Sequence, residues 1–447
     1  MPSPDCALHP DLKAGLAADL SAWPLRSITP NVLEAAQRGD HRLRESDITA
    51  AFGIFNNTLH WLRPDAHPRP RNPQLYAIAD DLRALLGLYR VPDVEFLLNV
   101  DDYPKSQRMV PTEASGRRVP APLFSFTKRE RRDAASGRVT TSDYDVLVPS
   151  GAFRMSYLDA KMLARSPAQW EASLPWARKR PKAYFRGTPY CGIHRFGRCS
   201  RYVLPRLAHE GRAPALDVGL VEYEAAHDTE RRDHPEYTPL AKAAREPEAN
   251  AALHKWVIHL DGHSFSSRLQ HLLLSNSAVL KQESDYVEYY YRALRPWQHY
   301  IPFYVSAADD IVEVLANVSE HDEEVHEVAR RGQAFAHTQL DVDSRFCYWR
   351  KLLHAWRKRF AYAPTRAAWP ASRPRDGHYT CGECRRPPNP ELIGPWPAGH
   401  ACNVVGGPRR AGAGALAAGL AGAEAQTTVR ECRRRRERGR GGEQRGT

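Results

Sequence analysis

The stretch from Trp256 to Phe303 constrains this chain more than any other. It opens on an apolar run of strand length, Val257-Ile258-His259-Leu260, closed by a small polar turn, Asp261-Gly262-His263-Ser264. From Phe265 to Asn276 the residues Leu269, Leu272, Leu273 and Leu274 fall at roughly helical spacing. Two further apolar runs follow, Ala278-Val279-Leu280 and Tyr300-Ile301-Pro302-Phe303. Strand, small-residue turn, helix and strand is the grammar of a βαβ unit in a nucleotide-binding sheet. A helix start offers unpaired N–H groups and partial positive charge, which suits a diphosphate. Arg268, about one turn inside the predicted helix, has a guanidinium able to fork onto phosphate oxygens. An ordinary structural βα unit with a solvent-facing arginine fits the same spacing.

A chain of 447 residues has room for two domains with proper cores. Its 42% hydrophobic and 26% charged residues are those of a globular protein, and no apolar run is long enough to cross a membrane as a helix. The formal charge of +12 invites a nucleic-acid reading, but from Asn403 to Thr447 ten Arg against four Glu account for about half of it. The remainder forms no basic stripe, so no nucleic-acid partner is expected.

In chain order, residues 1–90 read as mostly helical, with longer helices predicted over Ser46 to Leu62 and Gln74 to Leu88. Asp93 to Val100 reads as a strand ending at Asp101-Asp102-Tyr103-Pro104. Ligand groups gather at the carboxyl ends of strands in open α/β sheets. An Asp there can serve as a general base, or simply sit solvated in a turn. Residues 105–140 read as loop, and Tyr144 to Val148 as another buried strand. Asp143 and Asp145 flank one residue, a pair that can chelate a cation, but such pairs are common by chance and no metal site is expected. A domain join falls near Ser166 to Pro181. The strand Lys182 to Phe185 then enters a basic turn in which Arg186 and Arg195 stand as a phosphate clamp would, or as solvated charges. Cys191 and Cys199 close a short loop and can pair in an oxidising compartment. Helices are predicted over Ala308 to Ala316 and Asp322 to Gln339, and a last amphipathic one over Phe346 to Tyr362. From Ala363 onward Pro, Gly, Ala and Arg replace periodicity, so 363–447 reads as a disordered tail, in which Cys381, Cys384, His400 and Cys402 make only a malformed zinc pattern.

Several blocks in this order resemble glycosyltransferase family 90, the capsule-associated and Rumi-type protein O-glucosyltransferases. They are Asp93 to Pro104 (DVEFLLNVDDYP), Leu174 to Gly187 (LPWARKRPKAYFRG), Asp261 to Lys281, Pro296 to Pro302 (PWQHYIP) and Cys347-Tyr348-Trp349. The resemblance covers roughly residues 6 to 362. It implies an α/β fold of GT-B type, two Rossmann-like domains facing a cleft. The acceptor-side domain would span 1–175, completed by the helix 340–362, and the nucleotide-sugar domain 176–339.

The resemblance further implies an inverting, metal-independent transfer of glucose or xylose from a UDP-sugar to an acceptor hydroxyl on a protein or glycan, with no other cofactor. Asp102 matches the family's base. Arg186, Arg195 and Arg268 fall where its donor-site arginines lie, with Gly187 and the turn residues Gly262, Ser264, Phe265 and Ser266 beside them. Glu288, opening the EYYY run, matches an acid assigned to the ribose hydroxyls. A catalytically inactive member acting as a sugar- or protein-binding module is the alternative. The family implies an endoplasmic reticulum or Golgi lumen, yet no signal peptide is visible; a genuine N-terminus would mean cytoplasm. Cys6 sits where a family cysteine is expected, while Ala252 stands where Rumi-type members supply a partner for Cys347. Asn317 fits a glycosylation sequon, with Asn56 the other candidate, and both matter only in the secretory pathway.

Overall fold

The computed structural model describes residues 6–38, 49–62, 73–105, 109–111, 118–132, 139–153, 165–190, 196–221 and 243–368. The chain enters through helices Pro10–Leu20 (α1) and Pro30–Arg38 (α2). A hairpin of Thr49–Phe55 (β1) and Thr58–Trp61 (β2) follows, then helix Pro73–Leu88 (α3) and strand Val94–Asn99 (β3). Short strands come next: a hairpin of Met109–Pro111 (β4) with Arg118–Pro120 (β5), then Leu123–Ser125 (β6) and Lys128–Arg129 (β7). A further hairpin pairs Arg131–Arg132 (β8) with Val139–Thr140 (β9), and Val146–Leu147 (β10) closes the lobe.

The first sheet has the order β10-β6-β3-β1-β2. Strands β3, β6 and β10 run parallel, whereas β1 is antiparallel to both its neighbours. This lobe is therefore a mixed α/β sheet and departs from the parallel Rossmann pattern that the family resemblance implies. The cause is local. Asn56 and Asn57 take φ values of 47° and 59°, the left-handed pair that a two-residue hairpin turn requires. Asn57 Nδ2 donates to the Leu86 carbonyl at 2.7 Å, and its Oδ1 accepts from the Val91 N–H at 3.1 Å. The helix predicted over 46–62 is thus replaced by β1 and β2, and the predicted loop over 105–140 holds six short strands.

The second lobe starts with Pro167–Ser173 (α4), capped by Ser166 in a full capping box. It continues through Arg180–Gly187 (β11), Ser200–His209 (α5), Leu216–Leu220 (β12), His254–His259 (β13), Leu269–Leu273 (α6), Ala278–Gln282 (β14), Tyr286–Val287 (β15) and Ile301–Phe303 (β16). Helices Ile311–Glu320 (α7), Asp322–Gln339 (α8) and Val342–Arg357 (α9) complete the fold. The sheet order is β12-β11-β13-β14-β16, with every pair parallel. Numbered within the lobe this is 2-1-3-4-5, a doubly wound order whose winding reverses between β11 and β13.

Alternation along these strands divides two cores. Tyr184, Val257 and Val279 join the larger core shared with the first lobe, while Ala183, Phe185, Trp256, Ile258 and Leu280 join a second core with α5, α7 and α8. A one-residue slip would exchange the two faces, and each buried Val, Leu or Ile is worth roughly 1.5–3 kcal/mol, so the register is held firmly.

Helix α9 returns to the first lobe. Its Trp356 Nε1 donates to the Glu95 carbonyl at 3.0 Å and its Tyr348 hydroxyl to the Leu147 carbonyl at 2.9 Å. Cys347 on this helix is disulfide-bonded to Cys6, so its partner comes from the N-terminus, not from the neighbourhood of Ala252. The lobes also share a two-stranded antiparallel ribbon, with Tyr286 opposite Arg129 and Val287 opposite Lys128. Among the described residues no helix is long and apolar enough to cross a membrane. The predicted tail beyond residue 368, with Cys381, Cys384, His400 and Cys402, lies outside the described residues.

Candidate active site

The carboxyl ends of β11 and β13 form the switch point, the crevice where open α/β sheets bind ligands. Strand β11 ends in Arg186-Gly187 and continues into Thr188-Pro189-Tyr190. A Cβ at Gly187 would stand 2.5 Å from the tip of the Phe185 ring, so a side chain there would have to displace that ring. Gly262 has more room, its nearest neighbour being Arg201 Nη2 at 3.5 Å from an added Cβ.

The loop after β13 is fastened at both ends. The Asp261 N–H donates to Gln282 Oε1 at 3.2 Å. His259, buried and pushed down to about 3 by desolvation, is neutral and donates from Nε2 to the Ser266 carbonyl at 3.0 Å. Between these anchors the backbone N–H groups of Gly262 to Ser267 make no hydrogen bond to another described group. Ser264 is buried, as are Phe265 and Ser266 at its side. The predicted helix over 265–276 is shorter than its periodicity suggested: α6 covers Leu269–Leu273, and Arg268 stands at its N-cap and not a turn inside it. Two adjacent small turns, Leu274 to Ser277 before β14 and Gly262 to Ser267 after β13, leave too few residues for more.

Asp102 faces this loop from the other lobe. Asn99, at the end of β3, donates from Nδ2 to the Tyr103 carbonyl at 2.8 Å and accepts the Asp101 N–H at 3.0 Å, which curls the chain beyond the strand. The hydroxyl of Ser264 donates to the Asp102 carbonyl, a direct bond between lobes. The Asp102 carboxylate is accessible at the crevice mouth and accepts no hydrogen bond from another described residue. The surrounding protein still displaces enough water to raise its pKa, with His263 pulling it down and Asp101 pushing it up again. The His263 ring lies 4.9 Å from that of Tyr190, which closes the circle between the loops.

The arginines divide by partner. Arg268 donates from Nη1 to the Arg186 carbonyl at 2.8 Å, and no carboxylate is in bonding range of it among the described residues. Arg186 is held by Glu246 at 2.9 Å and Asp217 at 2.7 Å, so a phosphate there would compete with two carboxylates. Arg195 and Cys191 lie outside the described residues, while Cys199 is disulfide-bonded. Glu288 is 1% exposed, with the Tyr290 hydroxyl donating to it at 3.2 Å, so a ribose contact would need that wall to open. Burial pushes its carboxyl up to about 8.

A cavity of about 620 Å³ adjoins the crevice. Gly262, His263 and Ser264 line one side, Gln282 to Tyr286 the floor, and Arg129 and Arg131 from the first lobe the far wall. Asp143 accepts from Arg129 Nε at 3.1 Å, and Asp145 accepts the Lys105 N–H at 3.2 Å, so both acids have protein partners. Among the described residues no cluster of three or more His, Cys, Asp or Glu could hold a metal. Sequence reasoning passed over His263 and Arg201 as site residues; their types were visible, their burial and neighbours were not.

The family model described as "Glycosyl transferase family 90" matches residues 9–370. "Protein O-glucosyltransferase 2" of Danio rerio is 32% identical over 276 residues, 62% of this chain and 49% of that protein. "Protein O-glucosyltransferase 3" of Homo sapiens is 26% identical over 362 residues, 79% of this chain and 63% of that one. The chain thus spans about half to two-thirds of the length of these curated relatives. Among solved structures, Anabaena Alr3699/HepE in complex with UDP-glucose overlaps 42% of this chain and 53% of that one at 13% identity, with a TM-score of 0.29, an overlap too loose to bear on fold or ligand. The family match takes in both sheets and the returning helix α9, and the chain belongs to glycosyl transferase family 90.

Proposed function

We propose that this protein is an inverting O-glycosyltransferase that moves glucose or xylose from a UDP-sugar to an acceptor hydroxyl on a protein or glycan. The observation that carries the reading is the hydrogen bond from Ser264 to the Asp102 carbonyl, which brings the segment bearing an accessible carboxylate against a loop whose N–H groups have no partner among the described residues, at a strand-order switch point. The diphosphate would lie on the N–H groups of Gly262 to Ser267 beside Arg268, with the nucleoside running toward β14 over the cavity. The reacting carbon would then face Asp102, which takes the acceptor proton as the hydroxyl attacks from the side opposite the leaving UDP. Positive charge and N–H donors would stabilise that leaving group without a metal. The two disulfide-bonded sites, Cys6 with Cys347 and Cys199, support an oxidising compartment such as the endoplasmic reticulum or Golgi lumen.

A panel of UDP-sugars assayed for hydrolysis and transfer tests this reading. Turnover with UDP-glucose or UDP-xylose is expected, and Asp102→Asn should abolish transfer while leaving UDP affinity nearly unchanged. Binding of UDP without turnover would return the inactive binding-module reading, and full activity in Asp102→Asn would remove that residue from the mechanism.

A further inference from the structure

The geometry points to Asn56 as an N-glycosylation site, carrying an oligosaccharide at the end of the first sheet that lies away from the crevice. Two stretches satisfy the Asn-x-Ser/Thr pattern, Asn56-Asn57-Thr58 and Asn317-Val318-Ser319. The fold treats them differently. Asn56 and Asn57 form the turn between β1 and β2, where Phe55 pairs with Thr58. Asn57 points inward, its amide tied to Leu86 and Val91. Asn56 is exposed, and only its main-chain N–H is engaged, donating to Asp93 Oδ1 at 2.8 Å. Thr58 is exposed too, and neither its hydroxyl nor the Asn56 amide hydrogen-bonds to another described residue. Asn317, by contrast, lies within helix α7, and the Ser319 hydroxyl donates to the Leu315 carbonyl at 2.6 Å.

The left-handed φ values of the turn account for the two asparagines. A valine would serve β2 as well as Thr58 does, so the threonine hydroxyl is what makes this hairpin an acceptor. The turn is also well placed. Strand β1 runs antiparallel to β3, with Ile54 opposite Val94 and Thr49 opposite Asn99. Asn56 therefore lies beyond the amino end of β3 and Asp102 beyond its carboxyl end, with a strand length of roughly 20 Å between them. A bulky glycan on Asn56 leaves the crevice open. The co-substrate is a lipid-diphosphate-linked oligosaccharide. Asn56 Nδ2 forms a bond to its anomeric carbon as the bond from that carbon to the phosphate oxygen breaks, and the lipid diphosphate leaves with the amide proton.

The inference rests on the oxidising lumen of the reading above, which the Cys6–Cys347 disulfide supports, and its test separates the two. The full chain is directed into the endoplasmic reticulum of eukaryotic cells by a cleavable leader. It is purified, treated with peptide N-glycosidase in heavy-oxygen water, which turns a glycosylated Asn into labelled Asp, and mapped by mass spectrometry without reduction. Labelled Asp at position 56 is expected together with the Cys6–Cys347 link. Thr58→Val should lose the label, Thr58→Ser should keep it, and UDP-sugar turnover should be unchanged in both. Asn56→Asp, which tolerates the same positive φ, should also lose one glycan by gel mobility and covers the case in which Thr58→Val does not fold. An intact disulfide with Asn56 unlabelled would overturn the inference, as would label at Asn317 and not at Asn56. A chain with neither disulfide nor label would sink the lumenal reading and the site with it. Label without any UDP-sugar turnover would uphold the site and count against the donor reading alone.

Discussion

The hydroxyl of Ser264 donates to the main-chain carbonyl of Asp102, so a side chain from one lobe holds the backbone that carries the candidate base on the other. Ser264→Ala removes that bond and little else, since the side chain is small and buried. A neutral hydrogen bond is worth about 0.5–1.5 kcal/mol, so kcat should fall by roughly 2- to 10-fold with donor KM nearly unchanged. Steady-state kinetics against the donor checks this, and an unaltered kcat would dissociate the bond from catalysis.

In the proposed reaction the acid limb of the pH profile would report Asp102 acting as the base. An ordinary Asp titrates near about 4, and burial raises Asp102 above that. Under the proposed mechanism only the ionised carboxylate can take the acceptor proton, so kcat/KM should rise with pH through the raised value and level off beyond it. The His263 charge opposes the shift, so His263→Gln should move the limb to higher pH. A limb that stays in place in that variant would show that the two groups do not communicate.

Glu288 makes a separate prediction about stability. An unfolded Glu titrates near about 4.3, whereas burial pushes this carboxyl up to about 8 in the folded chain. Between those values the folded state keeps a proton that the unfolded state has released, so stability falls as pH rises. Glu288→Gln has no proton to release, and its melting temperature should gain on wild type progressively from about pH 5 to about pH 9. Parallel melting curves across that range would contradict the buried, protonated acid.

The Cys6–Cys347 disulfide joins residues 341 apart in sequence. A link closing so long a loop restricts the unfolded chain strongly, and removing a native disulfide typically costs about 2–5 kcal/mol. Cys6→Ser and Cys347→Ser should each lower the denaturant midpoint by a similar amount, and the double variant should be no worse than either. Chemical denaturation of the three variants checks this, and additive losses would mean the thiols contribute separately.

Much of the second lobe is legible from residues alone. Val257-Ile258-His259-Leu260, apolar but for His259, and the apolar run Ala278 to Leu280 suit parallel strands covered on both faces, and all of these residues but Leu260 lie in strands of the switch-point sheet. The hairpin of β1 and β2 was misread because Ala50, Ala51, Phe52 and Ile54 also fit a helical stripe. What decides it is the positive φ of Asn56 and Asn57, held by Leu86 and Val91 from other elements. Helix α6 was overpredicted for the same reason, since a run of leucines satisfies a buried loop as readily as a longer helix.

The sequence by itself determined the family, the strand–turn grammar around Gly262 and the presence of an acid at the end of β3, because those signals are local in the chain. Only the tertiary structure decided which charges remain available to a ligand. Arg186 and Arg268 look alike as arginines beside turns, yet Asp217 and Glu246 neutralise the first while the second meets a carbonyl. Arg201, one basic residue among several in its segment, turns inward and donates to the Thr188, Leu260 and Asp261 carbonyls. Pairing and burial depend on groups brought together from distant parts of the chain, and the electrostatics of a site follows from those distances rather than from residue type.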